Sequence, residues 1–413
     1  FVGYDFYEAD VEITRYRKVK VKGKEQYQLV FDQTPFYSES GGQVGDTGYI
    51  EDEKGNKYEI IDTRKENNLI VHFAKKLPKN PESGFKAVVS SRIRTLTANN
   101  HSATHLMHHA LRKVLGEHVE QKGSLVRHDY FRFDFSHFQR MTGDEIREVE
   151  KIVNRMIRQN LPREEHRSVA MAEARDMGAI ALFGEKYGDN VRVIKFGDSV
   201  ELCGGTHVEA TGQIGIFKIT TETAIAAGIR RIEAVTADEG EKYINHRIDQ
   251  LEEITAMFKN TKNVVRSVAN TLEENKKLQK EVEQLTKEKA LNLKEEGKQS
   301  AENINGINFI STKLKLDMAT VKDLAFSMKN ELENLFFIIG SEEKGKANLT
   351  VIISQNLVND RDLHAGNIIK DLAKEIKGGG GGQPHFASAG GKDPNGIDNA
   401  LRKAREIVKE SAK

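Results

Sequence analysis

The stretch LTANNHSATHLMHHALRKVLG, residues 96–116, decides the fold at the middle of the chain and holds the first half of a candidate metal site. Its apolar residues recur at helical spacing, and Gly116 is a typical helix stop. His101 and His105 stand four residues apart, so a helix places both imidazoles on one face, where they can share a metal ion. Taken alone, such a pair is a weak signal, because chance or ordinary helix packing also produces it.

The sequence CGGTH, residues 203–207, supplies a thiolate and a further imidazole, four positions apart on a glycine loop. Ordinary alternatives exist for each residue: Cys203 as a small buried side chain, and His207 as a loop histidine bonded to backbone. Three imidazoles and one thiolate nevertheless form a suitable ligand set for zinc. We therefore predict Zn²⁺ bound by four side chains: His101, His105, Cys203 and His207.

The composition restricts the class of protein. The 413 residues include 38% hydrophobic and 30% charged residues, and the net charge is +1, which excludes a globally basic nucleic-acid binder. A single cysteine excludes an internal disulfide and suits a reducing compartment, so we expect a cytoplasmic protein. No run of 18 apolar residues is present, so no membrane span is expected. The start, FVGYDFYEADVEI, does not resemble a signal peptide, and Phe1 in place of Met suggests a piece of a longer chain.

The predicted fold class is α+β with several domains. Residues 1–95 alternate or cluster β-formers around a glycine turn, which predicts a small β-barrel. Residues 96–236 mix helices and strands and hold the candidate zinc ligands, so we interpret them as an α/β catalytic core. In that core Thr142 and Glu145 have the spacing of a helix capping box.

The second half of the chain differs in composition. Residues 237–300 are polar and proline-free, which predicts a long helical, coiled-coil-like spacer or hairpin. A heptad-like seam runs along this segment, at Val264, Val268, Asn275, Leu278, Val282 and Leu285. Residues 301–413 alternate strand and helix patterns around the glycine run at 378–382, which predicts a separate C-terminal α/β domain.

Several motifs in order along the chain resemble one family. NHSATHL (100–106) with ELCGGTHV (201–208) is similar to the editing domain of alanyl-tRNA synthetases and its free-standing relatives. The resemblance extends to TPFYSESGGQVGDTG (34–48), VEQKGSLVRHDYFRFDFSH (119–137), GIRRIEAVT (228–236) and GGGGGQPHFASAGG (378–391). The last resembles the glycine signature of the family's C-terminal domain, which is shared with DHH-type phosphoesterases. The aminoacylation region of a complete synthetase has no counterpart here.

The resemblance implies a function. The chain is expected to hydrolyse tRNA(Ala) wrongly charged with serine or glycine, because a pocket sized for a methyl group cannot exclude glycine and rejects serine only weakly. The zinc ion is expected to activate a water or the ester carbonyl, or to anchor the substrate. If all four ligands bind at once, the site is closed, and Cys203 is the expected loose ligand because its loop contains glycines.

The resemblance also places further residues in the pocket. Thr104 is expected to hydrogen-bond the hydroxyl of a serine substrate, although it can instead bond back within its helix. Gln121 and Gln43 are expected to face the substrate, with Gly41 and Gly42 in a tight turn beside them. The GGQ tripeptide also occurs in peptide-release factors, a match too short to carry meaning. Asp46, nearby, is expected to be a turn residue.

RNA contacts require local cations. Arg127, Arg230 and Arg231 are candidates for phosphate contacts at the acceptor end of tRNA(Ala), although each can also be a solvated charge. Gly380 and Gly381 can bring backbone N–H groups close to RNA, while composition alone also allows a flexible linker. The resemblance implies that the C-terminal half contacts the tRNA elbow and can form a homodimer.

Two alternatives come from other classes. A DHH-type phosphoesterase needs several aspartates and a DHH triplet for its two metal ions, and that triplet is missing from the sequence. A non-catalytic tRNA-binding module with structural zinc shares every motif with the editing enzyme, and only an assay separates the two.

Overall fold

The β-formers of residues 1–95 close into a barrel in this computed structural model, which describes residues 1–21, 23–181, 188–259, 261–343 and 345–411. The barrel order is β1-β2-β5-β4-β3-β6. The strands are β1 (Glu8–Val21), β2 (Lys24–Phe31), β3 (Gly48–Glu51), β4 (Lys57–Glu66), β5 (Leu69–Ala74) and β6 (Gly84–Val89). Inward side chains of these strands, among them Leu29, Ile50 and Ile60, are fully buried together with Phe36 of the loop after β2, which confirms the predicted small barrel.

The barrel interior also holds an imidazole. His72 on β5 is completely buried, stacks on Phe31, lies 2.8 Å through Nε2 from the Thr34 hydroxyl, and reaches the Leu29 carbonyl at 3.1 Å through Nδ1. One neutral tautomer satisfies both contacts, because Nδ1–H donates to the carbonyl and Nε2 accepts from the hydroxyl. Burial lowers the pKa of His72 to about 3.

A second core follows along the chain. Its elements are α1 (Ser91–Leu115), β7 (Gln121–Val126), β8 (Phe131–Ser136), α2 (Gly143–Arg158), β9 (Glu164–Ala170), α3 (Met171–Asp176), β10 (Asn190–Phe196), β11 (Ser199–Leu202), β12 (Phe217–Ala226), β13 (Ile229–Thr236) and α4 (Ala237–Met257). The strands form an antiparallel sheet of order β12-β13-β8-β7 and a smaller sheet of order β11-β10-β9. Helix α1 contacts both sheets and α2, so it lies at the centre of this core.

Local signals set the ends of the two main helices. Helix α1 stops before Gly116, whose φ of +118° suits glycine, as predicted. Thr142 caps α2: its hydroxyl accepts from the Glu145 backbone N–H while the Glu145 carboxylate accepts from Thr142, so the predicted capping box is confirmed.

Asp46 is buried and connects the barrel to helix α1, so the prediction that it is a turn residue was wrong. Its carboxylate accepts from the Arg94 guanidinium of α1, with Nε 2.9 Å from Oδ1, and from the Tyr37 backbone N–H at 2.7 Å. Arg94 also donates to the carbonyls of Gly3 and Pro35. The pair therefore fixes the barrel loops against the start of α1.

The chain separates into two compact units, Phe1–Met257 and Phe258–Lys413. The second unit holds a six-stranded sheet of order β14-β15-β16-β17-β19-β18, in which β15 and β16 are parallel and the other neighbours antiparallel. Its elements are α5 (Val264–Gln299), β14 (Glu302–Ile304), β15 (Ile307–Leu314), α6 (Met318–Glu331), β16 (Leu335–Glu343), β17 (Lys346–Ile353), α7 (Gln355–Asp360), α8 (Ala365–Leu372), β18 (Gly378–Gln383), β19 (Phe386–Gly391) and α9 (Ile397–Glu410). Alternate residues of β16 enter two apolar clusters, one on each face of the sheet.

The predicted helical spacer is helical, as α4 and α5. The heptad-like seam of α5 is exposed, with Leu278 at 53% and Val282 at 62%, so coiled-coil pairing of this seam stays a prediction. The predicted four-domain division also stays a prediction. Among the described residues, no helix combines the length and apolarity needed to cross a bilayer.

His72 predicts a pH dependence of stability. Because its folded pKa lies below the ordinary value, the unfolded chain takes up a proton first, and stability present above pH 6.5 is lost as the pH falls towards 3. At pH 5 the loss from this residue amounts to about 2 kcal/mol. Chemical unfolding of the wild type and of His72→Gln at pH 7 and pH 5 measures the difference. The exposed His246→Gln variant should lose as much stability between pH 7 and pH 5 as the wild type. An equal loss of unfolding free energy in His72→Gln and the wild type would contradict the expectation.

Candidate metal centre

Helix α1 and the loop after β11 bring the four predicted ligands together. The ligand atoms of His101, His105, Cys203 and His207 all lie within 4.8 Å of one another, although the two pairs are about a hundred positions apart. The sulfur of Cys203 lies 3.4 Å from His101 Nε2 and 3.3 Å from His207 Nε2. Among the described residues, this is the one cluster of its kind.

The two sulfur–nitrogen distances are close to those of a tetrahedral zinc site. Zinc–nitrogen bonds of about 2.1 Å and zinc–sulfur bonds of about 2.3 Å place the sulfur and a neighbouring nitrogen roughly 3.6 Å apart. The two measured sulfur–nitrogen distances, 3.4 and 3.3 Å, are slightly shorter than this value. Three nitrogens and one sulfur are also the donor set that zinc accepts readily. The residues present therefore fit the ion.

Side chains outside the cluster orient two of the imidazoles. Nδ1 of His101 lies 2.7 Å from Gln43 Oε1, and Nδ1 of His207 lies 3.1 Å from Ser102 Oγ. Both rings therefore present Nε2 towards Cys203. Burial also lowers the pKa of His101 and of His207 well below the usual value. The neutral imidazole, which is the form that binds a metal, is thus favoured.

The cysteine loop is held firmly despite its glycines. Arg192 donates to the carbonyls of Cys203 and Gly205 at 2.8 and 2.7 Å, and the Tyr4 hydroxyl donates to Gly204 at 2.6 Å. A Cβ on Gly205 would lie 2.0 Å from the His101 ring, so this glycine is required by close approach and not by a need for flexibility. The expectation that Cys203 sits on a flexible loop is therefore not supported by these contacts.

Comparisons with known proteins agree with this geometry. The family model "Threonyl and Alanyl tRNA synthetase second additional domain" matches residues 191–233, which include Cys203 and His207. The model "tRNA synthetases class II (A)" matches residues 1–92, and the model "DHHA1 domain" matches residues 306–410.

Curated relatives match over almost the whole chain. Alanine–tRNA ligases of Christiangramia forsetii and Bacteroides fragilis are 53% and 52% identical over 410 and 409 residues, which is 99% of this chain and 47% of each relative. That of Cytophaga hutchinsonii is 48% identical over 415 residues. The chain belongs to the alanyl-tRNA synthetase family. It spans about half the length of the curated relatives it matches.

One solved structure is similar to part of this chain. The C-Ala domain of Aquifex aeolicus alanyl-tRNA synthetase is 24% identical, and the match covers 26% of this chain and 96% of that domain with a TM-score of 0.25. The predicted C-terminal α/β domain and the DHHA1 match refer to the same region of the chain.

The other residues predicted to line the pocket differ in burial and in hydrogen-bond partners. The Gln43 side chain is fully buried, contacts His101, and bonds Thr206 twice, accepting from its backbone N–H and donating to its hydroxyl. The Thr104 hydroxyl donates to the Asn100 carbonyl at 2.8 Å, within its own helix. Gln121 is the first residue of β7 and is partly exposed.

Gly41 and Gly42 form the predicted tight turn. Their φ angles of +56° and +81°, with reciprocal backbone bonds between Ser40 and Gln43, describe a two-residue hairpin turn that glycine favours. The Gly42 carbonyl accepts from the Val126 backbone N–H at 2.7 Å. The turn is thereby docked on β7 and delivers Gln43 to the ligand cluster.

Each of the three candidate arginines has a carboxylate partner. Arg127 lies 3.0 Å from Asp129, and Arg230 lies 2.5 Å from Glu222. Arg231 makes two bonds, of 2.7 and 2.8 Å, to Asp134. A phosphate must compete with these ion pairs, and RNA contact by the three arginines stays a prediction. Gly380 and Gly381 lie on β18 of the second unit.

Sequence reasoning missed three residues that support the ligands: Ser102, Arg192 and Glu201. Glu201 is 2% exposed, and its carboxylate lies 2.9 Å from His108 Nδ1 and 3.5 Å from His105 Nε2. Its partner His108 lies 93 positions away in the sequence, so no local pattern could have indicated this contact.

The cluster predicts metal stoichiometry. Purified chain should contain about one zinc ion per molecule, and His207→Ala should reduce the content strongly because it removes one of four donors. The exposed His246→Ala variant is the matched control and should keep the wild-type content. Elemental analysis after dialysis against metal-free buffer measures all three; a zinc-free wild type that is still folded would refute the site.

Proposed function

We propose that the chain hydrolyses the ester of seryl- or glycyl-tRNA(Ala) with Zn²⁺ held by His101, His105, Cys203 and His207, as the editing part of an alanyl-tRNA synthetase. The observation that carries the proposal is the convergence of these four side chains in a chain of this family. Such hydrolysis is needed because an activation pocket that accepts alanine cannot exclude the smaller glycine and rejects serine only weakly. A second site must therefore remove both wrong amino acids from the tRNA.

Zinc bound there would polarise the ester carbonyl or lower the pKa of a water. Around it, Gln43 and Ser102 hold the rings of His101 and His207 in one orientation. Arg192 holds the backbone on both sides of Gly204. Gln43 thus acts in this proposal as a positioning residue, because its amide is already committed to His101 and Thr206.

Thr104 is proposed to recognise a serine substrate. Its hydroxyl donates its proton to the Asn100 carbonyl, and its oxygen keeps lone pairs that can accept from the substrate hydroxyl. The bond within the helix and the bond to the substrate are therefore compatible. An alanine methyl would leave the oxygen without this partner, which favours serine over alanine.

A second candidate function is a tRNA-binding module with structural zinc. The observation that favours it is burial: three of the four ligands are buried and Cys203 is partly buried, as is common in closed structural sites. Hydrolysis of seryl-tRNA(Ala) separates the candidates, because a binding module leaves the ester intact.

The deacylation assay has a matched pair of threonine variants. Thr104→Val should lower kcat/KM for seryl-tRNA(Ala) about tenfold, the value of one hydrogen bond, with little effect on glycyl-tRNA(Ala). Thr97→Val is the control, since Thr97 is also buried on α1 and bonds its own helix in the same way. Equal effects of the two variants would remove Thr104 from substrate recognition, and no ester loss with the intact, zinc-loaded chain would favour the binding module.

The C-terminal unit is proposed to contact the tRNA elbow through β18, the glycine strand at the edge of its sheet. A Cβ on Gly380 would lie 2.4 Å from Ala389 of β19, so the fold itself requires that glycine. A Cβ on Gly379 or Gly381 would meet nothing within 4 Å. Nothing inside the unit requires glycine at these two positions, which is the expected pattern where another molecule's backbone approaches closely. Self-association through this half remains a prediction.

Gly381→Ala tests this contact without disturbing the fold. The added methyl occupies open space, so we expect normal stability and tRNA(Ala) affinity reduced about fivefold, or about 1 kcal/mol. Gly84→Ala in the barrel, whose Cβ also meets nothing within 4 Å, is the control and should keep wild-type affinity. Filter binding and thermal unfolding report the two properties, and unchanged affinity in Gly381→Ala would argue against the contact.

A further inference from the structure

We propose that Glu201 balances the charge of the loaded zinc site and positions the ligand His105. The inference rests on the zinc site of the proposed function and not on deacylation. It concerns a buried carboxylate that neither the family models nor the motif spacing assigns.

The placement of Glu201 follows from one strand and one helix. Glu201 lies on β11, two positions before Cys203, and faces α1 beside His105 and His108. Its carboxylate oxygens lie 2.9 Å from His108 Nδ1 and 3.5 Å from His105 Nε2. Of the carboxylates in the described ranges, this is the one within 4 Å of a ligand imidazole.

Charge counting shows why the site needs a carboxylate. Three neutral imidazoles, one thiolate and Zn²⁺ leave a net charge of +1 in a buried position, and burying an unbalanced charge is costly. The neighbouring cation, Arg192, does not help and is already paired with Glu165 at 2.7 Å. Glu201, 2% exposed, supplies the missing negative charge next to the ligands.

The carboxylate of Glu201 also orients a ligand ring. His101 and His207 have their outer ring nitrogens fixed by Gln43 and Ser102. Glu201 lies 3.5 Å from Nε2 of His105, so its carboxylate is the side chain placed to fix this third ring. Carboxylates that hold a ligand imidazole in this way raise metal affinity, and their loss commonly lowers it by about 10- to 100-fold.

The test measures metal binding in the absence of tRNA. Zn²⁺ affinity is determined by competition with a chromophoric chelator, and Co²⁺ is added in parallel to record the ligand-field absorption bands. Glu201→Gln should weaken Zn²⁺ binding about 10- to 100-fold and shift the Co²⁺ bands. Glu201→Asp keeps the charge but withdraws the oxygens, so its affinity should lie between Glu201→Gln and the wild type.

Glu150→Gln is the matched control. Glu150 is also a buried carboxylate of the first unit. It is bonded to Lys218 at 2.7 Å and to the Ile219 backbone N–H at 3.0 Å, and neither partner is a ligand residue. It should leave both the Zn²⁺ affinity and the Co²⁺ spectrum unchanged.

Three outcomes overturn the proposal: wild-type affinity and spectrum in Glu201→Gln, equal losses in Glu201→Gln and Glu150→Gln, or, if Glu201→Gln does not fold, wild-type affinity in Glu201→Asp. A chain that binds zinc in the expected order of variants but releases no amino acid from tRNA would contradict the editing function and leave the role of Glu201 intact.

Discussion

One buried amide connects the parts of the first unit on which the candidate site depends. Gln43 leaves the barrel at a glycine turn, and its Oε1 contacts both His101 of α1 and the backbone N–H of Thr206 in the cysteine loop. Three segments distant in sequence thereby meet at a single side chain that is completely buried. A buried amide without its hydrogen-bond partners is costly, so displacement of any one of the three segments destabilises the positions of the other two.

The same constraint explains why the barrel belongs to the site. The Asp46–Arg94 pair fixes the barrel loops on the first turns of α1, and the glycine turn docks on β7. The ligand helix is thus held at its start by the barrel, seven residues before His101. A barrel that moved relative to α1 would displace Gln43 and release the His101 ring, so the geometry of the four candidate ligands is a property of the whole unit.

Local signals were readable from the sequence, and long-range partners were not. The spacing of His101 and His105, the stop at Gly116 and the capping box at Thr142 each depend on residues within one helical turn or cap. The prediction that both histidines share a metal with Cys203 rested on ligand chemistry and on the resemblance to the synthetase family. Gln43, Asp46 and Glu201 act through partners 48 to 163 positions away, which no local pattern encodes.

A closed ligand set and hydrolysis make opposing demands on the site. Three imidazoles are buried, whereas Cys203 is only partly buried, so the accessible side of the cluster is the side of the thiolate. On that side the loop carbonyls are taken by Tyr4 and Arg192, which stack on each other at 4.0 Å. The Tyr4–Arg192 pair therefore lies on the side from which the substrate of the proposed reaction would approach the ligands.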